Sequence, residues 1–398
     1  MTALVKQHLI DPEICIRCGT CEEMCSVDAV THNDDNYVVE ISKCGFCMDC
    51  IAPCPTGAID NWRIVEADHG FTLDEQFSWD ELPEQAEFDA AEDDTTQEAI
   101  EDEIEALLRE AHAGTGGKPV APASAAAPSI NLYNRDRPAK AVVQGNFRLT
   151  DPSSDNDIRH IILSFHDATF PVLEGQSVGI LPPGTDEAGK PHEARLYSIS
   201  NARDGERPNA GNIALTVKRV PGGLGSNYVC DLKKGDEVLV TGPFGATFLM
   251  PNDADANIVM ICTGTGSAPF RAFTERRRRA MADAPGRLIL YFGARRPEEL
   301  PYFGPLKKVP KSLLEQHLVF SRLDDAPKEY VQDRMATEPD DIAGLLRDDK
   351  THVFICGLKG MESGVDEAFS SICRKTGLDW QAIKPQMRQS GRYHVETY

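Results

Sequence analysis

The stretch that decides the N-terminal fold reads Cys15-Ile-Arg-Cys18-Gly-Thr-Cys21-Glu-Glu-Met-Cys25 and then Cys44-Gly-Phe-Cys47-Met-Asp-Cys50-Ile-Ala-Pro-Cys54-Pro55. Each half is a triplet of thiols at Cys-x2-Cys spacing, with a fourth Cys a little further on. Three thiolates so spaced wrap one face of a metal centre, and a fourth must arrive from elsewhere. A module this small buries little apolar surface, so bound metal has to supply folding energy.

In the bacterial two-cluster pattern the fourth Cys of each run ligates the other cluster. Cys15, Cys18, Cys21 and Cys54 would then hold one [4Fe–4S] cluster, and Cys44, Cys47, Cys50 and Cys25 a second. Zinc is the competing occupant, because Cys-x2-Cys pairs also build four-thiolate sites. A zinc ribbon uses two separated pairs, however, not triplets with distal partners. A disulfide framework fits less well, since cysteines two residues apart rarely bridge. Ser26 stands where the second half has Pro55, which lowers the symmetry without removing a ligand.

The chain of 398 residues has room for several domains. Of its 12 cysteines, Cys230, Cys262, Cys356 and Cys373 lie outside the two runs and are scattered, which suits a reducing, cytoplasmic compartment. Met1 to Glu13 lacks the apolar core of a signal peptide. No apolar run approaches the roughly 18–20 residues that span a bilayer. A soluble protein with no membrane partner is expected. The formal charge of −22 argues against nucleic acid, which demands a basic footprint. Between Asp80 and Glu105 there is no Lys or Arg, and that run reads as a solvated linker.

The expected organisation is a two-cluster ferredoxin-like module over residues 1–66, a linker over 67–133, a β-rich domain over 134–250 and an α/β domain over 251–398. Tyr37 to Ile41 alternates as a strand. Ile100, Ile104, Leu107 and Leu108 have helical spacing within the acidic linker. His112 to Pro128 is rich in Ala, Gly, Pro and Ser and reads as a flexible tether for a mobile cluster module. Ala141–Val143, Ile161–Phe165, Ser177–Ile180, Ile213–Val217 and Glu237–Val240 are short strands divided by Gly and Pro, predicting an antiparallel barrel or sandwich. Ile258–Cys262, Leu288–Phe292, Leu318–Phe320 and His352–Cys356 alternate with helical stretches, the pattern of a parallel α/β sheet. Arg276 to Arg279 are expected on a solvated helical face.

Within these domains Arg195-Leu-Tyr-Ser-Ile-Ser200, Gly222-Gly-Leu-Gly-Ser-Asn227, Cys262-Thr-Gly-Thr-Gly-Ser-Ala-Pro269, Cys356-Gly-Leu-Lys-Gly-Met361 and Val395-Glu-Thr-Tyr398 occur in that order. Together they resemble the plant-type ferredoxin–NADP reductase family. The resemblance implies an antiparallel β-barrel that binds FAD and a parallel α/β domain that binds NADPH as substrate. Arg195 would take the flavin diphosphate bidentately. Backbone N–H groups of Leu224, Gly225 and Ser226 would approach it closely. Leu196, Tyr197, Ser198, Thr216 and Lys218 would complete the flavin site, with Tyr197 on one face of the ring and Ser198 near the position where hydride arrives. Thr263, Gly264, Gly266, Ala294, Arg295, Gly357 and Leu358 would receive the dinucleotide near strand ends and a helix N-terminus. Ser321, Arg322, Lys328 and Tyr330 match the family's site for the 2′-phosphate and adenine. Asp324 and Asp325 stand close by, and an acid at such a position favours NADH. Ser198, Cys356, Glu396 and the terminal Tyr398 would form the catalytic centre. The aromatic that covers the FAD adenine in the family has no counterpart after Val220.

With Gln7-His-Leu-Ile-Asp-Pro-Glu-Ile-Cys-Ile-Arg-Cys18 and Phe77-Ser-Trp-Asp-Glu-Leu82 added, the whole chain resembles reductase components of benzoyl-CoA 2,3-epoxidases. That likeness implies electron delivery to a separate di-iron oxygenase in aerobic aromatic degradation. Two other readings stay open: a reductase serving another ferredoxin or oxygenase, and a non-enzymatic cluster-bearing electron carrier.

Overall fold

The computed structural model describes residues 4–13, 15–25, 27–44, 50, 51, 54, 58–66, 69–85, 104, 106–112, 119–165, 170–185, 189–207 and 210–398. Cys47, Ile100 and most of the acidic run lie outside these residues. Ile104, Leu107 and Leu108 are helical, as their spacing predicts.

The N-terminal module runs β1 (Leu4–Leu9), α1 (Thr20–Glu23), β2 (Val30–His32), β3 (Tyr37–Val39), β4 (Asn61–Glu66) and α2 (Leu73–Phe77). β1 pairs antiparallel with β4, and β2 with β3. Three glutamines then bind the following segment back onto the module through paired amide bonds. Gln7 exchanges bonds with the Phe71 backbone (2.7 and 2.8 Å), Gln76 with Val39 (both 3.1 Å) and Gln85 with Ile64 (both 3.0 Å). A primary amide can substitute for a peptide unit in this way, since it carries both donor and acceptor.

The middle of the chain contains β5 (Ala139–Arg148), β6 (Ile158–Ser164), β7 (Ser177–Leu181), β8 (Arg195–Ser198), β9 (Ile213–Lys218), α3 (Leu224–Asp231) and β10 (Glu237–Phe244). Its strands form one six-stranded sheet, ordered β8-β7-β10-β5-β6-β9, with all the pairings antiparallel. An Ile199–Leu215 bridge joins the two edges and closes the sheet into a barrel, which removes exposed strand edges. Its interior is aliphatic, from Ala141, Val143, Ile161 and Leu163 to Val238 and Val240.

The last part runs β11 (Asn257–Thr263), α4 (Ser267–Ala280), β12 (Leu288–Ala294), α5 (Phe303–Lys307), β13 (Glu315–Phe320), α6 (Val331–Met335), α7 (Pro339–Arg347), β14 (Thr351–Gly357), α8 (Met361–Thr376), α9 (Trp380–Gln389) and β15 (Tyr393–Thr397). The strands pair in parallel in the order β13-β12-β11-β14-β15. The order reverses between β11 and β14, and ligands bind at the carboxyl ends of strands beside such a reversal.

Two expectations are overturned. Residues 119–128 are not a free tether. Asn252 N–H donates to the Ser124 carbonyl at 3.3 Å, and Ala126 is buried in one apolar cluster with Leu173, Leu249 and the module's Ile10, Ile51 and Trp62. Small residues here let the backbone lie flat on the reductase part. A Cβ on Gly391 would come within 2.2 Å of the Ala121 carbonyl.

Nor is the Arg276–Arg279 run solvated as a whole: Arg278 alone is exposed, in a surface pair with Glu275, and the other three turn inward. Arg276 and Arg277 are 3% and 1% exposed. Arg277 donates to the Ala254 and Ala256 carbonyls, both at 3.0 Å. Arg279 reaches Asp204 (2.7 Å), the Gly205 carbonyl (2.7 Å) and the Glu206 carbonyl (2.8 Å). The long stems bury apolar surface while the planar forks gather oxygens.

The module is locked to the rest of the chain by a buried charge cluster. Arg203 makes a bidentate contact with Glu174 (Nε–Oε1 3.2 Å, Nη2–Oε2 2.7 Å) and donates through Nη1 to Asp60 Oδ1. Arg276 Nη2 approaches Asp60 Oδ2 at 3.4 Å. Asp60 comes from the module, Glu174 and Arg203 from barrel loops and Arg276 from α4. Burial works to raise the Glu174 carboxyl, but attraction by Arg203 and Arg276 prevails and holds it at about 2.

Arg203→Met therefore strands two buried carboxylates, and it is expected to lower unfolding free energy by about 3–5 kcal/mol in urea titration at neutral pH. Because the folded Glu174 pKa lies below its ordinary 4.5, its contribution in the wild type is present above that value. It is lost as pH falls toward about 2. A variant within about 1 kcal/mol of wild type at pH 7 would remove Arg203 as the tie.

Candidate active site and cluster centres

The residues singled out in the α/β domain gather at one edge of its sheet. Thr263, Ala294, Phe320, Gly357 and Thr397 end the five parallel strands. Thr263-Gly264-Thr265-Gly266 turns from β11 into α4, and the turn packs on the neighbouring strand end. A Cβ on Gly266 would sit 2.2 Å from the Cys356 carbonyl, and one on Gly357 2.7 Å from Thr263 Oγ1. Only glycine permits backbones this close.

Across the seam the barrel contributes β8. The Ser198 hydroxyl donates to Glu396 Oε1 at 2.9 Å, joining β8 to β15. Glu396 stands in register with Cys356, and Cys356 with Cys262. Burial pushes the Glu396 carboxyl up to about 7, against hydrogen bonds from Ser198 and Ser177 that act to lower it. Its Oε2 is buried without a partner, as is Thr263 Oγ1. Burial, then the nearby Glu396, raises the Cys356 thiol well above its usual range, so it is a neutral wall of the pocket. The terminal Tyr398 is latched over the turn: its hydroxyl meets Thr265 Oγ1 at 2.7 Å, and its N–H donates to the Gly357 carbonyl at 3.1 Å.

The barrel side supplies a cradle. A Cβ on Gly225 would lie 2.5 Å from Arg195 Cγ, so the glycine turn and the Arg stem are in contact. Leu224, Gly225 and Ser226 form the first turn of α3. Tyr197 is half-buried on β8, and burial pushes its phenol up to about 12. Leu196 lies beside it, and Lys218 is exposed at the end of β9. Burial and then Arg295 lower the Lys218 ammonium pKa. Thr216 is buried, and its hydroxyl meets Tyr302 Oη at 2.6 Å; in this structure it serves the contact between barrel and α/β sheet. Leu224 on the barrel side, and Leu358 and Tyr398 on the sheet side, stand 46%, 62% and 50% exposed, and the Glu396 carboxyl near Tyr398 keeps one oxygen without a hydrogen-bond partner. Apolar groups left in solvent beside orphaned polar atoms suit a large planar cofactor.

Ser321, Arg322, Lys328 and Tyr330 follow β13, with Arg322, Lys328 and Tyr330 exposed. Arg296 engages Asp324 bidentately at 2.9 and 3.1 Å, which occupies the nearer of the two acids that could have received a ribose hydroxyl. Thr265, Ser177, Tyr302 and Arg296 were missed by sequence reasoning. Only Thr265 carries a signal, its place inside the glycine turn.

In the N-terminal module Cys15, Cys18, Cys21 and Cys54 line one cavity with Ile10, Ile16, Gly19, Tyr37, Ala58 and Ile59. Cys54 has thus crossed from the second run to join the first three. Cys25, Cys44 and Cys50 belong to the same apolar cluster. Cys25 Sγ accepts from Ala29 N–H at 3.2 Å, and Cys44 Sγ lies 3.9 Å from His8 Nδ1. Four thiols around one cavity are the donor set of an iron–sulfur or zinc centre.

Comparison with known proteins agrees with this geometry. Residues 8–31 match the 4Fe-4S binding domain, residues 151–248 the oxidoreductase FAD-binding domain and residues 260–367 the oxidoreductase NAD-binding domain. A ferredoxin–NADP reductase from Synechocystis is 35% identical over 287 residues, 68% of this chain and 70% of that one. The cyanelle ferredoxin–NADP reductase of Cyanophora paradoxa is 37% identical over 287 residues, 68% of this chain and 79% of its own. The solved ferredoxin–NADP+ reductase from Plasmodium falciparum superposes with a TM-score of 0.54 at 28% identity, covering 68% of this chain and 99% of that one. Its form with 2′P-AMP gives 0.53 at 26% identity over 67% of this chain and 99% of that one.

The buried Glu396 carboxyl yields a pH prediction. Its folded pKa of about 7 exceeds the ordinary 4.5, so the folded protein keeps a proton that the unfolded chain has released. This group costs stability increasingly as pH rises from about 4.5 to about 7 and no further beyond. Glu396→Gln is expected to gain on wild type across that window by up to roughly 3 kcal/mol, read from urea midpoints at successive pH values. A constant difference would show that Glu396 is ionised in the folded protein.

Proposed function

We infer the reaction from family and site together: the chain belongs to the ferredoxin–NADP reductase family, and it oxidises NADPH with FAD as its flavin. We propose further that the electrons pass singly through two [4Fe–4S] clusters to a separate di-iron oxygenase that epoxidises benzoyl-CoA in aerobic aromatic degradation. The observation carrying the relay is the meeting of Cys54 with Cys15, Cys18 and Cys21 around one cavity, in a module fastened to the reductase by Arg203. The customer rests on the whole-chain likeness described above. The cluster module occupies residues 1–66, the FAD barrel 134–250 and the NADP domain 251–398, in the cytoplasm.

Bound flavin supplies the conversion of one hydride into two single electrons, and bound clusters carry them outward. The protein's own residues bind, orient and screen. Arg195 and the N–H groups of Leu224, Gly225 and Ser226 hold a diphosphate. Tyr197 and Tyr398 offer aromatic faces, and Tyr398 leaves its Thr265 latch when nicotinamide enters. Ser198 orients Glu396, whose proton is held at a carboxyl poised near neutrality. Cys356 and Gly266 narrow the pocket and exclude water. Ser321, Arg322 and Lys328 take the 2′-phosphate, and Tyr330 stacks on adenine. Occupation of Asp324 by Arg296 supports NADPH over NADH, as does a family member solved with 2′P-AMP.

Arg322→Ala is expected to raise KM for NADPH by about 10-fold or more, as loss of one charge-assisted contact requires. KM for NADH should stay nearly unchanged, and steady-state kinetics with both nucleotides reads the split. Equal effects on the two would move the phosphate site elsewhere. For the customer, the purified di-iron component and benzoyl-CoA should together accelerate NADPH oxidation. Unchanged electron flow would return the protein to a reductase for another acceptor.

A further inference from the structure

We propose that electrons leave this protein through the Cys15–Cys18–Cys21–Cys54 centre, and that the surface around Ile16 docks an acceptor protein whose contact face is apolar at its middle and basic at its rim. The proposal rests on the relay reading above and adds its direction and exit.

The two cysteine sets face different ways. In the second set Cys44 lies 3.9 Å from His8. His8 packs on Trp62 with ring centroids 5.9 Å apart, and Arg203 of the barrel lies 5.2 Å over that same Trp62 ring. The Cys44 side of the module therefore borders the lock to the reductase. The Cys15–Cys18 loop is turned to solvent. Cys18 is exposed, and Ile16 is 62% exposed although it lines the thiol cavity. Arg17 Nη1 donates to the Asp34 carbonyl at 3.3 Å, which brings the loop against the 33–36 turn.

The charge around this loop is predominantly negative, with Arg17 as its one basic side chain. Glu13, Glu23, Asp28, Asp34 and Asp35 are exposed, and no other Lys or Arg lies between Ile10 and Glu40. An exposed apolar side chain over a redox centre, ringed by carboxylates, fits a partner with the opposite ring. The balance is simple: NADPH yields NADP⁺, one proton and two electrons, and each electron reduces one metal centre of the acceptor protein.

Cytochrome c, a basic one-electron acceptor with an exposed haem edge, serves as the probe with the full-length, cofactor-loaded protein. The variant is Glu23→Lys with Asp34→Lys, Asp34 being the acid whose carbonyl Arg17 of the loop reaches, and the control is Glu237→Lys on the barrel. Cytochrome c affinity by surface plasmon resonance at low salt, and its NADPH-driven reduction, are each expected to fall about tenfold in the double variant. The fall should shrink as salt is raised. NADPH–ferricyanide turnover, iron content and the EPR spectrum should match wild type, and Glu237→Lys should change nothing. Unaltered affinity and reduction in the double variant, with reduced clusters visible by EPR, would overturn the docking face alone. Absence of reduced-cluster signals in NADPH-treated wild type would overturn the relay and the exit together.

Discussion

A single guanidinium, that of Arg203, sits between carboxylates from two parts of the chain and makes the closest charged contact between them. Its fork faces Glu174 and its remaining nitrogen faces Asp60, with Arg276 behind Asp60. All four are nearly excluded from bulk water, at 0–6% exposure. Desolvating so much charge is costly, and it is tolerable only where each ion finds its partners in good geometry. That condition holds at one docking position of the N-terminal module and fails if it slides or rotates. Burying charge therefore selects an orientation, where the apolar cluster around Leu173 and Leu249 would accept several.

The same economy of arginines shapes the seam between barrel and parallel sheet. Along α4, Arg271 binds Glu206 and the Ser200 carbonyl, Arg279 binds the 204–206 loop and Arg276 reaches Asp60. Tyr302 crosses in the other direction to Thr216 and His160. Held by these ties, β8 and β15 meet closely enough for Ser198 to reach Glu396. The pocket is thus a property of the seam, and neither sheet contains it alone.

Much of the site was legible because glycine and cysteine motifs report backbone requirements that few other residues can meet. Gly225 under Arg195 and Gly266 against Cys356 are close approaches, and the spacing of the cysteines reflects the geometry of a shared centre. The barrel strands announced themselves through short aliphatic runs between Gly and Pro. β15 did not, because His394 and Glu396 are buried polar residues that break the apolar pattern. The Arg276–Arg279 run was read as solvated and the 119–128 segment as slack for the same reason. Composition registers the average habit of a residue type, and these residues act against their averages.

Residue order by itself determined the three-part plan, the parallel and antiparallel sheets, the thiols in two runs and the glycine turns, since each follows from local spacing and backbone freedom. The cysteine spacing already set Cys54 beside Cys15, and the structure brings the two to one cavity; only tertiary structure decided that Arg296 takes Asp324, and that Asp60 finds Arg203 at a separation of 143 residues. Pairings at such distances depend on which charges are excluded from water together. That is settled when the modules pack, and no local pattern encodes it.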